Sequence, residues 1–245
     1  MRKSLIAILC LATLILQTSG RATAAMVHLV DGRGDSSPSS SSTTLKPSET
    51  APVKAAISPA AKKHWKDAGA DPDFQLLSKC VGAFTRPGAK QVAYLYSWCE
   101  TGHSLGIGGV AIMENGKLVA HFGYNSGGEH DISRVPDIDG DGVDELCIEA
   151  GTTNQGYTIS NASIISVRQT AVRKFGRFDL YDDNSGAVER NPTSNASSYS
   201  ADVPTKKPIF MRQHYKSVKD KWVPQGKPAA YKPANDEVSY EDLNH

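Results

Sequence analysis

The strongest constraint on the fold is that the chain matches itself at a displacement of 54 residues. At that displacement Val81-Gly82-Ala83-Phe84-Thr85-Arg86-Pro87-Gly88-Ala89-Lys90-Gln91-Val92-Ala93-Tyr94 lies, without a gap, over Val135-Pro136-Asp137-Ile138-Asp139-Gly140-Asp141-Gly142-Val143-Asp144-Glu145-Leu146-Cys147-Ile148. The same step carries Val110-Ala111-Ile112-Met113 onto Ile164-Ile165-Ser166-Val167, and Leu118 onto Val172. Each unit reads loop, strand, hairpin. Asn115-Gly116 between two strand-like runs marks a two-residue hairpin, because both central residues of that turn need positive φ. A further pair of strands, Ile209 to Tyr215 and Lys221 to Val223, joined across Val218-Lys219-Asp220, predicts a third, incomplete unit. Units this short bury their apolar faces only on one another, which predicts an all-β protein. The expected architecture is two or three propeller-blade-like antiparallel repeats of about 54 residues, arranged as a propeller or as stacked sheets, with one short helix over residues 60–68 after Pro59.

Around this core the chain is read as four segments. Arg2-Lys3, the apolar run Leu5 to Leu16 and the small residues Ala22-Thr23-Ala24 predict a signal peptide over residues 1–24, and hence export to a secreted or periplasmic location. Cys10 lies within that run and would leave with it. Residues 25–59, rich in Ser, Thr, Pro and Ala, predict a disordered tether. Residues 60–235 form the β-repeat domain, with units at about 80–124, 135–181 and 200–235, and residues 236–245 a tail. Removing the leader leaves 24 basic against 26 acidic residues. Without a basic excess there is no counterion release to drive nucleic-acid binding, and beyond the N-terminus no apolar stretch would span a membrane.

The acidic run Asp137-Ile138-Asp139-Gly140-Asp141-Gly142-Val143-Asp144-Glu145 puts carboxylates at positions one, three and five, glycine at six and another acid at nine. A hard divalent cation takes six to eight oxygens at about 2.3–2.6 Å, which alternating side chains in a tight loop supply, and a loop this rich in carboxylates suits Ca2+ better than Mg2+. An EF-hand needs a bidentate Glu at position twelve. Ile148 stands there, so the loop leads into a strand.

This loop and strand resemble the FG-GAP or VCBS-type calcium repeat of integrin α-chain propellers and many secreted bacterial proteins, whose pattern is Asp-x-Asp/Asn-x-Asp-Gly-x-x-Asp before a buried strand. The resemblance covers roughly residues 80–180. It implies Asp137, Asp139, Asp141, the Val143 carbonyl and Glu145 as calcium ligands, Glu145 replacing the usual Asp. The equivalents in the first unit, Ala83, Thr85, Pro87 and Gln91, lack the charge, so that loop holds its turn without metal.

Other candidate chemistry is sparser. After leader cleavage Cys80, Cys99 and Cys147 remain. Cys147 overlies Ala93 and reads as a buried thiol, while Cys80 and Cys99 could close a loop worth on the order of 3 kcal/mol; the other reading leaves all three reduced. Gly102-His103-Ser104-Leu105-Gly106 matches the Gly-x-Ser-x-Gly elbow of hydrolases, with His214 downstream, or else is a Gly-rich turn between strands. Glu129-His130-Asp131 alternates faces in an extended segment and reads as solvated loop. Asn161 and Asn195 head glycosylation triplets, and Lys206, Lys207, Lys216, Lys219 and Lys221 read as a solvated hairpin face. Gly32-Arg33-Gly34-Asp35-Ser36 contains an Arg-Gly-Asp adhesion tripeptide that is equally ordinary linker sequence.

Together these features predict a secreted, non-enzymatic calcium-binding β-repeat protein that displays a surface to a protein or glycan partner. The alternatives are a secreted serine hydrolase using Ser104 and adhesion through Arg33-Gly34-Asp35.

Overall fold

A computed structural model describes residues 25–34, 44–66, 73–102, 105–125, 127–168 and 171–243. In chain order the elements are β1 (Ala25–Asp31), α1 (Pro47–His64), β2 (Gln75–Gly82), β3 (Gln91–Gly102), β4 (Leu105–Glu114), β5 (Lys117–Asn125), β6 (Glu129–Val135), β7 (Glu145–Asn154), β8 (Tyr157–Arg168), β9 (Ala171–Asp183), β10 (Ser194–Val203), β11 (Phe210–Val218), β12 (Lys221–Tyr231) and β13 (Glu241–Asp242). The 54-residue period is the period of the strands: β2 to β5 recur as β6 to β9, with β3 and β7 opening at Gln91 and Glu145. Each set is an antiparallel meander. The ladders add one detail: Gly82 pairs with Gln91, but Val135 pairs with Glu145, so the acidic loop is one residue longer than its counterpart.

The predicted Asn115-Gly116 turn is present, with φ of 50° and 76°, and Lys219 and Asp220 turn the β11–β12 hairpin at 50° and 57°. The third unit, expected to be incomplete, is completed from the N-terminus. β1 pairs antiparallel with β10 from Ala25↔Val203 to Asp31↔Ser198, giving the order β1-β10-β11-β12. The described parts of the expected tether, residues 25–34 and 44–59, are therefore ordered elements of the fold. Leu29 and Val30 are fully buried in β1, and α1 occupies residues 47–64, beginning 13 residues before the expected helix and overlapping it over residues 60–64. Pro47 starts that helix, the Lys46 amide donates to Glu49 Oε2 at 2.7 Å, and Lys62, Lys63 and His64 complement the negative helix end. Val53, Ile57 and Ala61, spaced by four, are its buried stripe.

Strand alternation then builds layers. On β3, Ala93 and Leu95 point one way and Tyr94, Tyr96 and Trp98 the other, and both faces are buried. The aromatic face packs under α1. The aliphatic face meets Ile132, Leu146, Ile148, Ile165 and Val167 of unit two. The other face of unit two, with Cys147, Ile164, Phe178 and Leu180, packs on Tyr199, Ala201 and Val203 of unit three and on β1. Helix and three units thus form a stack, and among the described residues no closed propeller forms. β9 and β10 also share a short ladder, joining units two and three in an eight-stranded sheet, while unit one with β13 forms a five-stranded one.

Two further expectations are corrected. The expected tail is structured over its described residues, 236–243: β13 pairs with β5, and Leu243 is buried. No disulfide joins the described cysteines. Cys80 pairs opposite Ala93, whereas Cys99 lies six residues further along β3, about 20 Å at the strand rise and far beyond the reach of a disulfide. Cys147 is a buried thiol as expected. Among the described residues no helix is long and apolar enough to cross a membrane.

Candidate metal centre

The acidic loop joins the first and second strands of unit two and is pinned by all three units. Ile138, fully buried in the core between units two and three, anchors its start, and its carbonyl accepts from the Thr205 amide at 2.9 Å. Asp144 faces away from the other acids. Its amide donates to the Ala83 carbonyl at 2.9 Å, its Oδ2 accepts from the Ala83 amide at 2.8 Å, and Arg134 pairs with its Oδ1 at 3.1 Å. Gly140 and Gly142 take φ of 77° and 84°, a region closed to most side chains.

This path gathers four of the residues proposed from the sequence. Oxygens of Asp137, Asp139, Asp141 and Glu145 all lie within 4.8 Å of one another, so the cluster could hold a metal ion. Asp137 also shapes the turn, accepting from the amides of Gly140 (2.7 Å), Asp141 (3.2 Å) and Gly142 (2.7 Å). Val143 is buried in the same loop, its amide donating to Asp141 Oδ1 at 2.9 Å. Glu145 is 0% and Asp139 7% exposed. One oxygen of Glu145 accepts from the Ile138 amide at 2.7 Å, while Glu145 Oε1 and Asp139 Oδ1 are buried without any partner. Burial pushes the Glu145 carboxyl up to about 8, and the charges of Asp139, Asp137 and Asp141 add to the shift.

Two residues that local motif reading did not single out also belong to the site. Arg168, at the end of β8, reaches Asp139 Oδ2 at 3.1 Å and Asp141 Oδ2 at 2.7 Å, and Arg173 of β9 pairs closely with Asp139 Oδ2. The guanidiniums take the outer oxygen of Asp139 and leave Oδ1 unpaired. With all four carboxyls ionised, as a bound cation would hold them, four carboxylates against two guanidiniums leave two negative charges, the charge of one divalent cation. The counterpart loop needs no ion. Gln91 Oε1 accepts from the amides of Phe84 and Thr85 (2.9 and 3.0 Å), and its Nε2 donates to Thr85 Oγ1 at 2.6 Å and Glu114 Oε2 at 3.0 Å.

The other candidates fall elsewhere. His103 and Ser104 lie outside the described residues, as do the leader and Asp35. His214 Nδ1 sits 3.1 Å from Ser197 Oγ. Arg33 makes an ion pair with Asp31 and stacks on Tyr215 at 4.1 Å. Glu129, His130 and Asp131 lie in β6 rather than a loop, Asp131 accepting from Ser78. Asn161 and Asn195 lie within β8 and β10. No family model, no curated protein and no solved structure matches this chain.

Proposed function

We propose that this chain is an exported calcium-binding β-repeat protein of FG-GAP or VCBS type, acting as a structural or interaction module rather than as an enzyme. Asp137, Asp139, Asp141 and Glu145, with the Val143 carbonyl, hold the ion between the first and second strands of unit two. The observation that carries the reading is the pair of buried, unpartnered oxygens, Asp139 Oδ1 and Glu145 Oε1, inside a cluster of four carboxylates. A buried polar atom left without a partner costs on the order of 1–3 kcal/mol, and a cation facing both removes that cost and the mutual repulsion. Calcium fits better than magnesium, because an all-protein cage of carboxylates suits an irregular shell of many oxygens.

The ion would lock the loop that already ties units one, two and three together, holding the stack rigid for a protein or glycan partner. Thermal unfolding in excess calcium and in chelator tests this, since a ligand bound only by the native state raises stability by mass action. Calcium should raise the melting temperature of the wild type and leave Asp139→Ala unmoved. Identical melting of the wild type in both buffers would refute the assignment.

A further inference from the structure

The repeat supplies an internal control for a second feature of unit two. Positions 94, 96 and 98 on β3 correspond to 148, 150 and 152 on β7, and on each strand the three share a face. In unit one they are Tyr94, Tyr96 and Trp98, packed under α1 beside Trp65 and Phe74. In unit two they are Ile148, Ala150 and Thr152, and of these only Ile148 joins the apolar core. Ala150 faces Asn161 across the ladder, where Tyr96 faces Gly109. Two large aromatics have thus become a methyl and a hydroxyl, beside an added carboxamide. A cavity of about 530 Å³ opens there, lined also by Asp236 and Tyr240 of the C-terminal segment. Its volume falls within the roughly 300–1,000 Å³ of small-ligand sites.

The lining selects the chemistry. Glu129, Asp236 and Glu237 against Arg177 leave an excess of negative charge, which repels phosphates and carboxylates. In the wall, Asp236 is 6% exposed and its Oδ2 has no hydrogen-bond partner, while Arg177 Nε, paired with Asp179 Oδ1 at 3.5 Å, is buried and makes no hydrogen bond. One is an acceptor and the other a donor. An ammonium group only donates and a phosphate only accepts, whereas a hydroxyl does both. Val238 and Tyr240 add apolar surface of the kind that covers the C–H face of a sugar ring. We infer that this cavity between unit two and the C-terminal segment is a binding site for a neutral mono- or disaccharide, held by Asn161, Thr152, Arg177 and Asp236.

The site shares no residue with the acidic loop, so its test stands apart from that of calcium. The full chain is titrated calorimetrically with glucose, galactose, mannose, N-acetylglucosamine, lactose and cellobiose, and with glucosamine and glucose 6-phosphate as charged counterparts. At least one neutral sugar should bind at millimolar concentration or below, more tightly than either charged form. Thr152→Trp, which restores the side chain of unit one, should weaken that binding at least tenfold, as should Asn161→Leu, each with a melting transition retained. Absence of binding by every neutral sugar, preference for a charged form, or undiminished binding in both folded variants would overturn the proposal.

Discussion

Gln91 and Glu145 hold the same place in successive units and make the same first bond: each accepts, through one side-chain oxygen, the amide seven residues before it, Phe84 at 2.9 Å and Ile138 at 2.7 Å. They part at the remaining atom. Gln91 Nε2 donates to Thr85 and Glu114, while Glu145 Oε1 is buried with no partner. Glu145→Gln therefore converts the second loop to the chemistry of the first. The metal-free variant should gain about 1–3 kcal/mol, and its melting temperature should no longer respond to calcium. A calcium shift equal to that of the wild type would contradict this.

Arg173 stabilises the acids that a cation would also stabilise, so its removal has opposite effects on the two states. In Arg173→Ala the metal-free protein should melt lower. Calcium should bind about fivefold to tenfold more tightly, because on the order of 1 kcal/mol of repulsion is lost. Calorimetric titration of both proteins checks the sign, and a weaker calcium affinity in the variant would show that Arg173 organises the site instead.

His121 sets a pH dependence. It is fully buried, with Nε2 2.7 Å from the Tyr96 hydroxyl, and burial lowers its pKa to about 4, Asp242 opposing and His64 reinforcing the shift. Between about pH 6.5 and 4 the unfolded chain takes up a proton that the folded chain refuses. Stability is therefore lost as pH falls through that window, by on the order of 3 kcal/mol, and levels off below it. Urea unfolding of the wild type and His121→Phe at pH 7, 5.5 and 4 should give a steeper fall in the wild type. Parallel curves would remove His121 as the cause.

The cysteines should be silent. Burial pushes the Cys80 and Cys147 thiols up, and neither is accessible. Neither should be alkylated in the native protein, and both should be labelled in denaturant, as read by mass spectrometry. The melting temperature should be the same with and without reductant, and a drop on reduction would point to a disulfide.

The C-terminal segment should behave as part of the fold. Leu243 is 3% exposed, its amide donates to the His121 carbonyl at 2.9 Å, and Glu241 pairs with His64 at 2.8 Å. Leu243→Ala should cost about 2–4 kcal/mol. Glu241→Gln, at an exposed pair, should cost less than 1 kcal/mol. Equal, negligible effects in denaturant unfolding would return the segment to the status of a tail.

What could be read from the chain was local or periodic. The 54-residue step survives because equivalent strands must bury equivalent faces, the Asn115-Gly116 turn because φ there is a property of those two residues, and the acidic loop because alternating carboxylates and glycines dictate their own turn. Residues 25–31 and 47–64 carry no such signal. The first is too short to announce a strand, and its order comes from β10, about 170 residues away. The second is a Ser-, Pro- and Ala-rich helix whose three buried residues matter only because the aromatic face of β3 is there to cover.

The same division runs through the site. Asp137, Asp139, Asp141 and Glu145 were legible because their spacing in sequence is their spacing in the loop. Arg168 and Arg173 reach those acids from a hairpin further on, and Asp144, one of the run, turns outward to hold Ala83 of unit one. The sequence by itself determined the repeat, its turns and the ligand-like loop, because these rest on backbone conformation and side-chain alternation over a few residues. Only the tertiary structure decided what completes the third unit, which thiols stay apart, which charges face the acids and where unit two is left hollow, because each depends on what a distant segment brings against it.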